Sequence, residues 1–318
     1  MIEYAVAVGS DRLAGRLFGP SFEALADVPA NRVGDILTEL DSDAARETLA
    51  RAEVLLTGWE TPHLTAKVLR HAPRLRRVIH LGGYAAGLFP DGAAGITMSD
   101  VGVANSVPVA EYSLAMILLA NKDTFRAQRL YRERRAFIDR EAEFEVSGNY
   151  RRTVGVVSAS RTGRALIELL RPFPALRVLL YDPYVTEREA AELGVEPVTL
   201  PELMSRSDVV TLQTPLLPET VGLIDAALLA RMPDGATLIN TARGPIVDAE
   251  ALERELVGGR ISAVLDVTDP EPLPASSPLY DLPNVLLTPH IAGSMGTELR
   301  RMGDMAAADL ARYARSEP

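Results

Sequence analysis

The sequence predicts an α/β protein built from two doubly wound, mainly parallel sheets. Two observations carry this. Short apolar runs alternate with helix-patterned segments along most of the 318 residues, and such alternation yields parallel strands with helices on both faces. Near the middle, Thr153 to Tyr184 reads TVGVVSASRTGRALIELLRPFPALRVLLYDPY. Strand, tight turn, helix, strand and terminal acid follow there in the order of a dinucleotide-binding βαβ unit.

Taken in chain order, Tyr4 to Val8 is a strand, Asp11 to Ala26 a helix, and Asp41 or Ser42 a cap for a helix ending near Arg51. Val54 to Thr57 is a buried strand, Thr61 to Ala72 a short helix, and Arg77 to Leu81 a strand running into Gly82-Gly83-Tyr84. Ile96 to Ser99 and Gly102 to Ala104 read as short extended pieces. Pro108 is expected to open a long helix capped by Asn105 or Ser106, because proline is tolerated in a first turn. That helix continues, with a break, into the charged stretch 122 to 141.

Residues 137 to 152 form a polar connection. In the βαβ unit Val154, Val156 and Val157 suit a buried strand, and Ala165, Leu166, Leu169 and Leu170 have helical spacing. After Asp182 the alternation resumes, with strands at Val209 to Gln213, Thr237 to Asn240, Ser262 to Leu265 and Val285 to Leu287. Helices fall at Leu200 to Arg206, Ala226 to Met232, Ala249 to Val257 and Gly296 to Arg315. A sheet of about six strands fits Thr153 to Pro289.

Composition narrows the function. The net charge of −10 argues against non-specific binding to nucleic acid or to an anionic membrane. With no cysteine, disulfides, thiolate catalysis and cysteine-ligated metals are excluded. No cluster has metal-ligand spacing, so no metal is expected. The N-terminus shows no basic segment followed by a long apolar one, and the most apolar window, Tyr112 to Ala120, is short for a membrane span. A cytoplasmic protein is expected.

The turn of the βαβ unit departs from the G-x-G-x-x-G pattern. Ser158 and Ser160 stand at the first two glycine positions and only Gly163 remains. A serine hydroxyl there is expected to reach a phosphate standing slightly farther out. Returning both serines to glycine is expected to tighten the cofactor.

Three loops follow strands of this second sheet: Asn240-Thr241-Ala242-Arg243-Gly244, Asp266-Val267-Thr268-Asp269-Pro270-Glu271-Pro272, and Thr288-Pro289-His290-Ile291-Ala292-Gly293. Ligands of open α/β sheets bind beyond the carboxyl ends of the strands, so these loops should converge. A guanidinium grips a carboxylate through two parallel hydrogen bonds, and a histidine exchanges a proton near neutral pH. A glutamate beside that histidine stabilises the imidazolium. Reduction of a 2-oxo acid needs these parts and a hydride. The remaining histidines, His63, His71 and His80, read as helix-surface or strand-end residues.

The chain resembles the NAD-dependent D-isomer specific 2-hydroxyacid dehydrogenases. The likeness is carried by SVPVAEYSLAMILLANK, TVGVVSASRTGRA, YDPY, SDVVTLQTPLLPET, MPDGATLINTARGPIVDAEALERELVGGRISAVLDVTDPEPLP and LPNVLLTPHIAGS, in the family's order and spacing. It implies a Rossmann cofactor domain, 104–291, inserted in a discontinuous flavodoxin-like substrate domain, 1–103 and 292–318. It implies that Arg243, Glu271 and His290 are catalytic and that NAD is the cofactor.

Cofactor contacts are expected at Ser158, Ser160, Arg161, Thr162, Gly163, Asp182, Thr214, Pro215, Thr241, Ala242 and Asp266. Asp182 would take the ribose diol and repel a 2′-phosphate. Substrate contacts are expected at Trp59, Gly82, Gly83 and Tyr84. Two departures stand out. Tyr84 replaces a small residue, and Thr57-Gly58-Trp59 carries no arginine where some members hold a phosphorylated substrate.

The resemblance further implies a homodimer, packed through the helix beginning at Pro108. The leading reading is hydride transfer between NAD(H) and a 2-oxo acid/D-2-hydroxy acid pair. The alternative is an NAD(H)-sensing, corepressor-like binding protein with little turnover. A formate-oxidising relative would pair its histidine with glutamine, so Glu271 points away from it.

Overall fold

The structure, a computed structural model, describes residues 1–23, 25, 28–82 and 95–316. The chain divides into two compact units, Met1–Asn105 with Ser294–Pro318, and Ser106–Gly293. Each crossing lies two residues further along than the sequence reading placed it.

In the first unit the elements are β1 (Ile2–Ala7), α1 (Asp11–Glu23), β2 (Ala30–Arg32), α2 (Asp43–Arg51), β3 (Val54–Thr57), α3 (Ala66–Arg70), β4 (Arg77–His80) and β5 (Thr97–Asp100). The sheet order is β2-β1-β3-β4-β5, with every pairing parallel. That is the flavodoxin-like order 2-1-3-4-5.

The two-residue period of a strand splits the core into two layers. Tyr4 and Val6 of β1, and Val8 just beyond it, pack with Leu17 and Phe18 of α1 and with Met302 and Leu310 of the C-terminal helix. Ala5 and Ala7 point the other way, to Leu49, Val68 and the second layer. Helix α2 starts where Ser42 caps it, its hydroxyl accepting from Ala45 N at 3.2 Å. Helix α3 is shorter than its pattern suggested. Thr65 is its cap, so the segment from Thr61 lies outside the helix.

Helix α4 (Gly102–Asn121) begins a turn and a half before Pro108. The proline therefore lies inside the helix, where it forgoes the bond to the carbonyl of Ala104. This overturns the expected start at Pro108 and the expected extended piece at 102–104. Two short helices, α5 (Thr124–Arg134) and α6 (Arg140–Glu143), follow it.

The second unit then runs β6 (Thr153–Val157), α7 (Arg161–Leu170), β7 (Arg177–Tyr181), α8 (Glu187–Leu193), β8 (Glu196–Pro197), α9 (Leu200–Arg206), β9 (Val209–Leu212), α10 (Ala226–Leu229), β10 (Thr237–Asn240), α11 (Ala249–Val257), β11 (Ser262–Leu265) and β12 (Val285–Leu287). The C-terminal α12 (Glu298–Ser316) returns to the first unit. The parallel sheet has seven strands, ordered β12-β11-β10-β9-β6-β7-β8. Read from the other edge, its first six strands have the Rossmann order 3-2-1-4-5-6. The strand beyond the six expected is β8, a two-residue edge strand too short to leave a pattern.

Val154 and Val156 of β6 face Ala110 and Ile117 of α4 and Leu166 and Ile167 of α7. Val157 faces the opposite layer, with Leu203 and Leu238. The order reverses between β6 and β9, and a crevice opens there at the carboxyl ends of the strands.

Candidate active site

The crevice at the reversal point is a groove of about 490 Å³. Ser158, Ser160, Asp182, Thr214 and Pro215 line it, together with Tyr184, Leu217 and Arg164. The last three were not singled out from sequence. Tyr184 closes the YDPY segment that ends the βαβ unit, and that position was the available signal.

Ser158 adopts φ 81°, the left-handed conformation that favours glycine. Its Oγ donates to Asp182 Oδ2 at 3.2 Å, and Ala159 N donates to the same oxygen at 2.8 Å. Ser160 caps α7: its Oγ accepts from Gly163 N at 3.2 Å and donates to Gln213 O at 2.6 Å. Both hydroxyls are thus engaged inside the protein, which corrects the expectation that one reaches out to a phosphate.

Gly163 has no room for a side chain, since a β-carbon there would stand 2.0 Å from Ser158 O. The turn, the first turn of α7 from Arg161 through Thr162 to Gly163, and Asp182 at the end of β7 fit a dinucleotide. A helix N-terminus there meets an anion, and an acid meets a ribose diol. Asp182 Oδ1 also accepts from Tyr184 N at 2.8 Å. Each carboxylate oxygen offers two lone pairs, so acceptor capacity remains.

The three loops after β10, β11 and β12 do converge. His290 Nδ1 and Glu271 Oε1 are 2.7 Å apart, with side chains 48% and 43% exposed. A second cavity, of about 530 Å³, borders this pair and is walled by Leu273, Leu287 and Tyr280. Arg243 is exposed, and its Nη1 donates to Ala242 O at 2.6 Å. Among the described residues no carboxylate pairs with it.

Gly244 brings the Arg243 loop against the Glu271 loop: a β-carbon there would stand 2.0 Å from Thr268 O and 2.7 Å from Asp269 N. Asn240, 2% exposed, fastens the turn from below. Its Nδ2 donates to Arg243 O at 2.9 Å and its Oδ1 accepts from Ala242 N at 3.0 Å.

Asp266 also serves the fold. It is 2% exposed, and its carboxylate accepts from Thr288 Oγ1 at 2.6 Å, Ile291 N at 2.8 Å and Ala292 N at 2.9 Å. The donors of the His290 loop thus take up three of its acceptor positions. Thr241 is also buried. It joins Ser113, Thr211 and Gln213 in a closed polar network, with Ser113 Oγ to Thr241 Oγ1 at 3.0 Å and Gln213 Nε2 to Thr211 Oγ1 at 2.9 Å.

In the first unit, Trp59 packs half-buried against the core. Gly82 is buried beneath the ring of His80, whose Nε2 would lie 2.2 Å from a β-carbon at 82. His80, expected as a strand-end residue, is 7% exposed and pairs through Nδ1 with Thr57 Oγ1 at 2.9 Å. Burial lowers its pKa from the ordinary 6.5, with Asp100 opposing the shift. Gly83 and Tyr84 lie outside the described residues.

Comparison with known proteins adds a family. The family model described as "D-isomer specific 2-hydroxyacid dehydrogenase, NAD binding domain" matches residues 114–292. A D-3-phosphoglycerate dehydrogenase of Mycobacterium bovis is 34% identical over 266 residues, covering 83% of this chain and 49% of that protein. The chain therefore spans about half the length of that relative. A glyoxylate reductase of Korarchaeum cryptofilum is 35% identical over 264 residues, covering 81% of this chain and 78% of its own length. The structure of D-lactate dehydrogenase from Escherichia coli superposes with a TM-score of 0.73 at 25% identity, covering 100% of this chain and 98% of that one.

Proposed function

The chain belongs to the D-isomer specific 2-hydroxyacid dehydrogenase family, and from that premise we propose that it interconverts a 2-oxo acid and the matching D-2-hydroxy acid with NAD(H). The observation that carries the proposal is the His290–Glu271 pair at 2.7 Å. A carboxylate only accepts, so Nδ1 carries the shared proton and Nε2 is the atom left to give or take one. In reduction, His290 delivers the Nε2 proton to the carbonyl oxygen, and Glu271 stabilises the imidazolium from which it leaves. The groove lined by Ser158, Ser160 and Asp182 would hold NADH, which would supply the hydride for the carbonyl carbon. The 2-oxo acid, NADH and one proton thus become the hydroxy acid and NAD⁺.

Arg243, free of any carboxylate partner among the described residues, grips the substrate carboxylate and polarises the adjacent carbonyl. Gly82 and Trp59 are the substrate contacts proposed in the first unit. Asp182 takes the ribose and disfavours a 2′-phosphate, so NAD is preferred over NADP. The loop Thr57-Gly58-Trp59 has no arginine, which favours an unphosphorylated acid.

The protein acts in the cytoplasm as a homodimer. Support for the dimer comes from α4, whose most apolar stretch is only about one-third buried. The exposed Tyr131 and Phe137 of the segment after it add to that support. A single-chain mass by light scattering would refute the dimer.

The activity is tested by following NADH absorbance with 2-oxo acids from glyoxylate to phenylpyruvate, and with NADPH in parallel. Acid-dependent oxidation of NADH is expected. His290→Ala is expected to lower turnover by about 10³-fold with NADH affinity unchanged. Full activity in that variant would sink the assignment. NADH binding with no turnover on any acid would favour the sensing alternative.

A further inference from the structure

We propose that Tyr112 and Thr288 are positioning residues for His290, joined in a hydrogen-bonded line that runs from α4 through Thr288 to Asp266 and holds the histidine loop in its left-handed turn. This rests on the reading of His290 as proton donor.

His290 has φ 55°, unusual for a residue with a β-carbon. Such a conformation persists only where the surroundings over-determine it. Here they do so from both sides. The His290 N–H is shared between Asp266 O and Thr288 O, each at 3.0 Å. The next two amides, Ile291 and Ala292, both donate to the Asp266 carboxylate. Asp266 is therefore the clamp, and its state decides whether the loop keeps its shape.

Among the described residues no cation pairs with this carboxylate, so hydrogen-bond donors alone compensate its burial. The one side-chain donor is Thr288, whose Oγ1 lies 2.6 Å from Asp266 Oδ1. Because a carboxylate only accepts, the Thr288 proton is committed to it. Thr288 Oγ1 is then left as an acceptor, and Tyr112 Oη, 2.9 Å away, must be the donor. Burial lifts the Tyr112 phenol above its ordinary value, against the opposing bond from Thr288, so the proton stays in place near neutral pH.

The next residue on the helix, Ser113, bonds Thr241 at the root of the Arg243 loop. One turn of α4 thus fastens the bases of two loops, those carrying Arg243 and His290. Nothing in this line touches the reacting atoms. Its effect is to fix where Nε2 stands, and a misplacement of about 1 Å can cost roughly 100-fold in rate.

The test uses the full chain with NADH and the fastest oxo acid of the panel. Thr288→Val keeps the shape and removes both hydrogen bonds. A fall in kcat of about 10- to 100-fold is expected, with KM and NADH affinity within about twofold of the parent. Thr288→Ser should recover most of the rate, and Tyr112→Phe should lose about 3- to 10-fold, the effect of one neutral hydrogen bond. Amide hydrogen exchange of the protein without cofactor gives a second readout. In Thr288→Val, Ile291 and Ala292 should exchange at least about tenfold faster, as a weakened clamp requires.

His290→Ala is measured alongside. If it retains full activity, the proton-donor reading fails. If it is inactive while Thr288→Val and Tyr112→Phe turn over like the parent, that reading stands and the positioning role is overturned. Unchanged exchange at Ile291 and Ala292 would overturn it as well. Should Thr288→Val fail to fold, Tyr112→Phe decides by the same measurements.

Discussion

Gly163→Ala tests how the cofactor turn is built. The added β-carbon would stand 2.0 Å from Ser158 O and 3.1 Å from Ser158 C. A carbon–oxygen contact tolerates about 3.3 Å, so strand end and helix start must part by roughly 1.3 Å. Neither side yields easily. The opposing atoms are backbone, and Ser158 is held by its own N–H donating to Tyr181 O at 2.7 Å. Overpacking of this kind costs about 1–3 kcal/mol, and alanine returns about 1 kcal/mol of helix propensity. A net loss of about 0–2 kcal/mol corresponds to a fall in Tm of at most a few degrees for a chain of this size.

The effect on the cofactor should be larger than the effect on stability. Moving the N-terminus of α7 by that distance loses at least one charge-assisted hydrogen bond to a phosphate, about 1.5–3 kcal/mol. That is a 10- to 100-fold weaker Kd for NADH. Fluorescence titration with NADH and calorimetry on the same preparation read both numbers. A Kd within twofold of the parent would refute the reasoning, whatever the melting temperature does.

The double change Ser158→Gly with Ser160→Gly relieves left-handed strain of about 1–2 kcal/mol. It also removes the bond to Asp182 and the cap of α7, so NADH should bind no tighter than in the parent. A tenfold gain in affinity would restore the view that the serines obstruct the site. A further prediction concerns His80. Its pKa is depressed in the folded state, so the unfolded chain takes up the proton first. The stability contributed by the neutral ring is complete above its unfolded pKa of about 6.5 and is lost as pH falls from there through the folded value. In urea melts between about pH 7 and pH 5, His80→Gln should flatten the decline, and parallel slopes would show that the ring is not the titrating group.

Much of the second unit could be read in advance because its strands and helices carry period, and period is local. Val154, Val156 and Val157 announce a strand whatever surrounds them, and the convergence of three loops follows from parallel topology alone. What stayed hidden depends on partners distant in sequence. Tyr112 and Thr288 are 176 residues apart, and nothing in either neighbourhood marks the contact. His80 does end its strand, as read, but its burial and its bond to Thr57 across the sheet leave no mark in its own neighbourhood. Pro108 misled for the opposite reason: a local preference for first turns was overridden by an apolar helix with enough packing to carry a proline inside it.

The glycine fingerprint hides the same distinction. Its positions ask for different things, and only one of the three cannot be met by a small side chain. The first asks for a backbone angle, which Ser158 adopts at a cost while its hydroxyl bonds Asp182. The second asks for no special angle: Ser160 sits at φ −57° and caps the helix. The third asks for empty space against a backbone oxygen, and no substitution supplies that. Gly244 is of the third kind, since Thr268 O would lie 2.0 Å from its β-carbon. Counting glycines therefore undervalues this turn. Asking which of them face a backbone atom at contact distance selects Gly163 at the cofactor turn and Gly244 between the Arg243 and Glu271 loops, together with Gly303, where α12 packs on Leu17 O of α1.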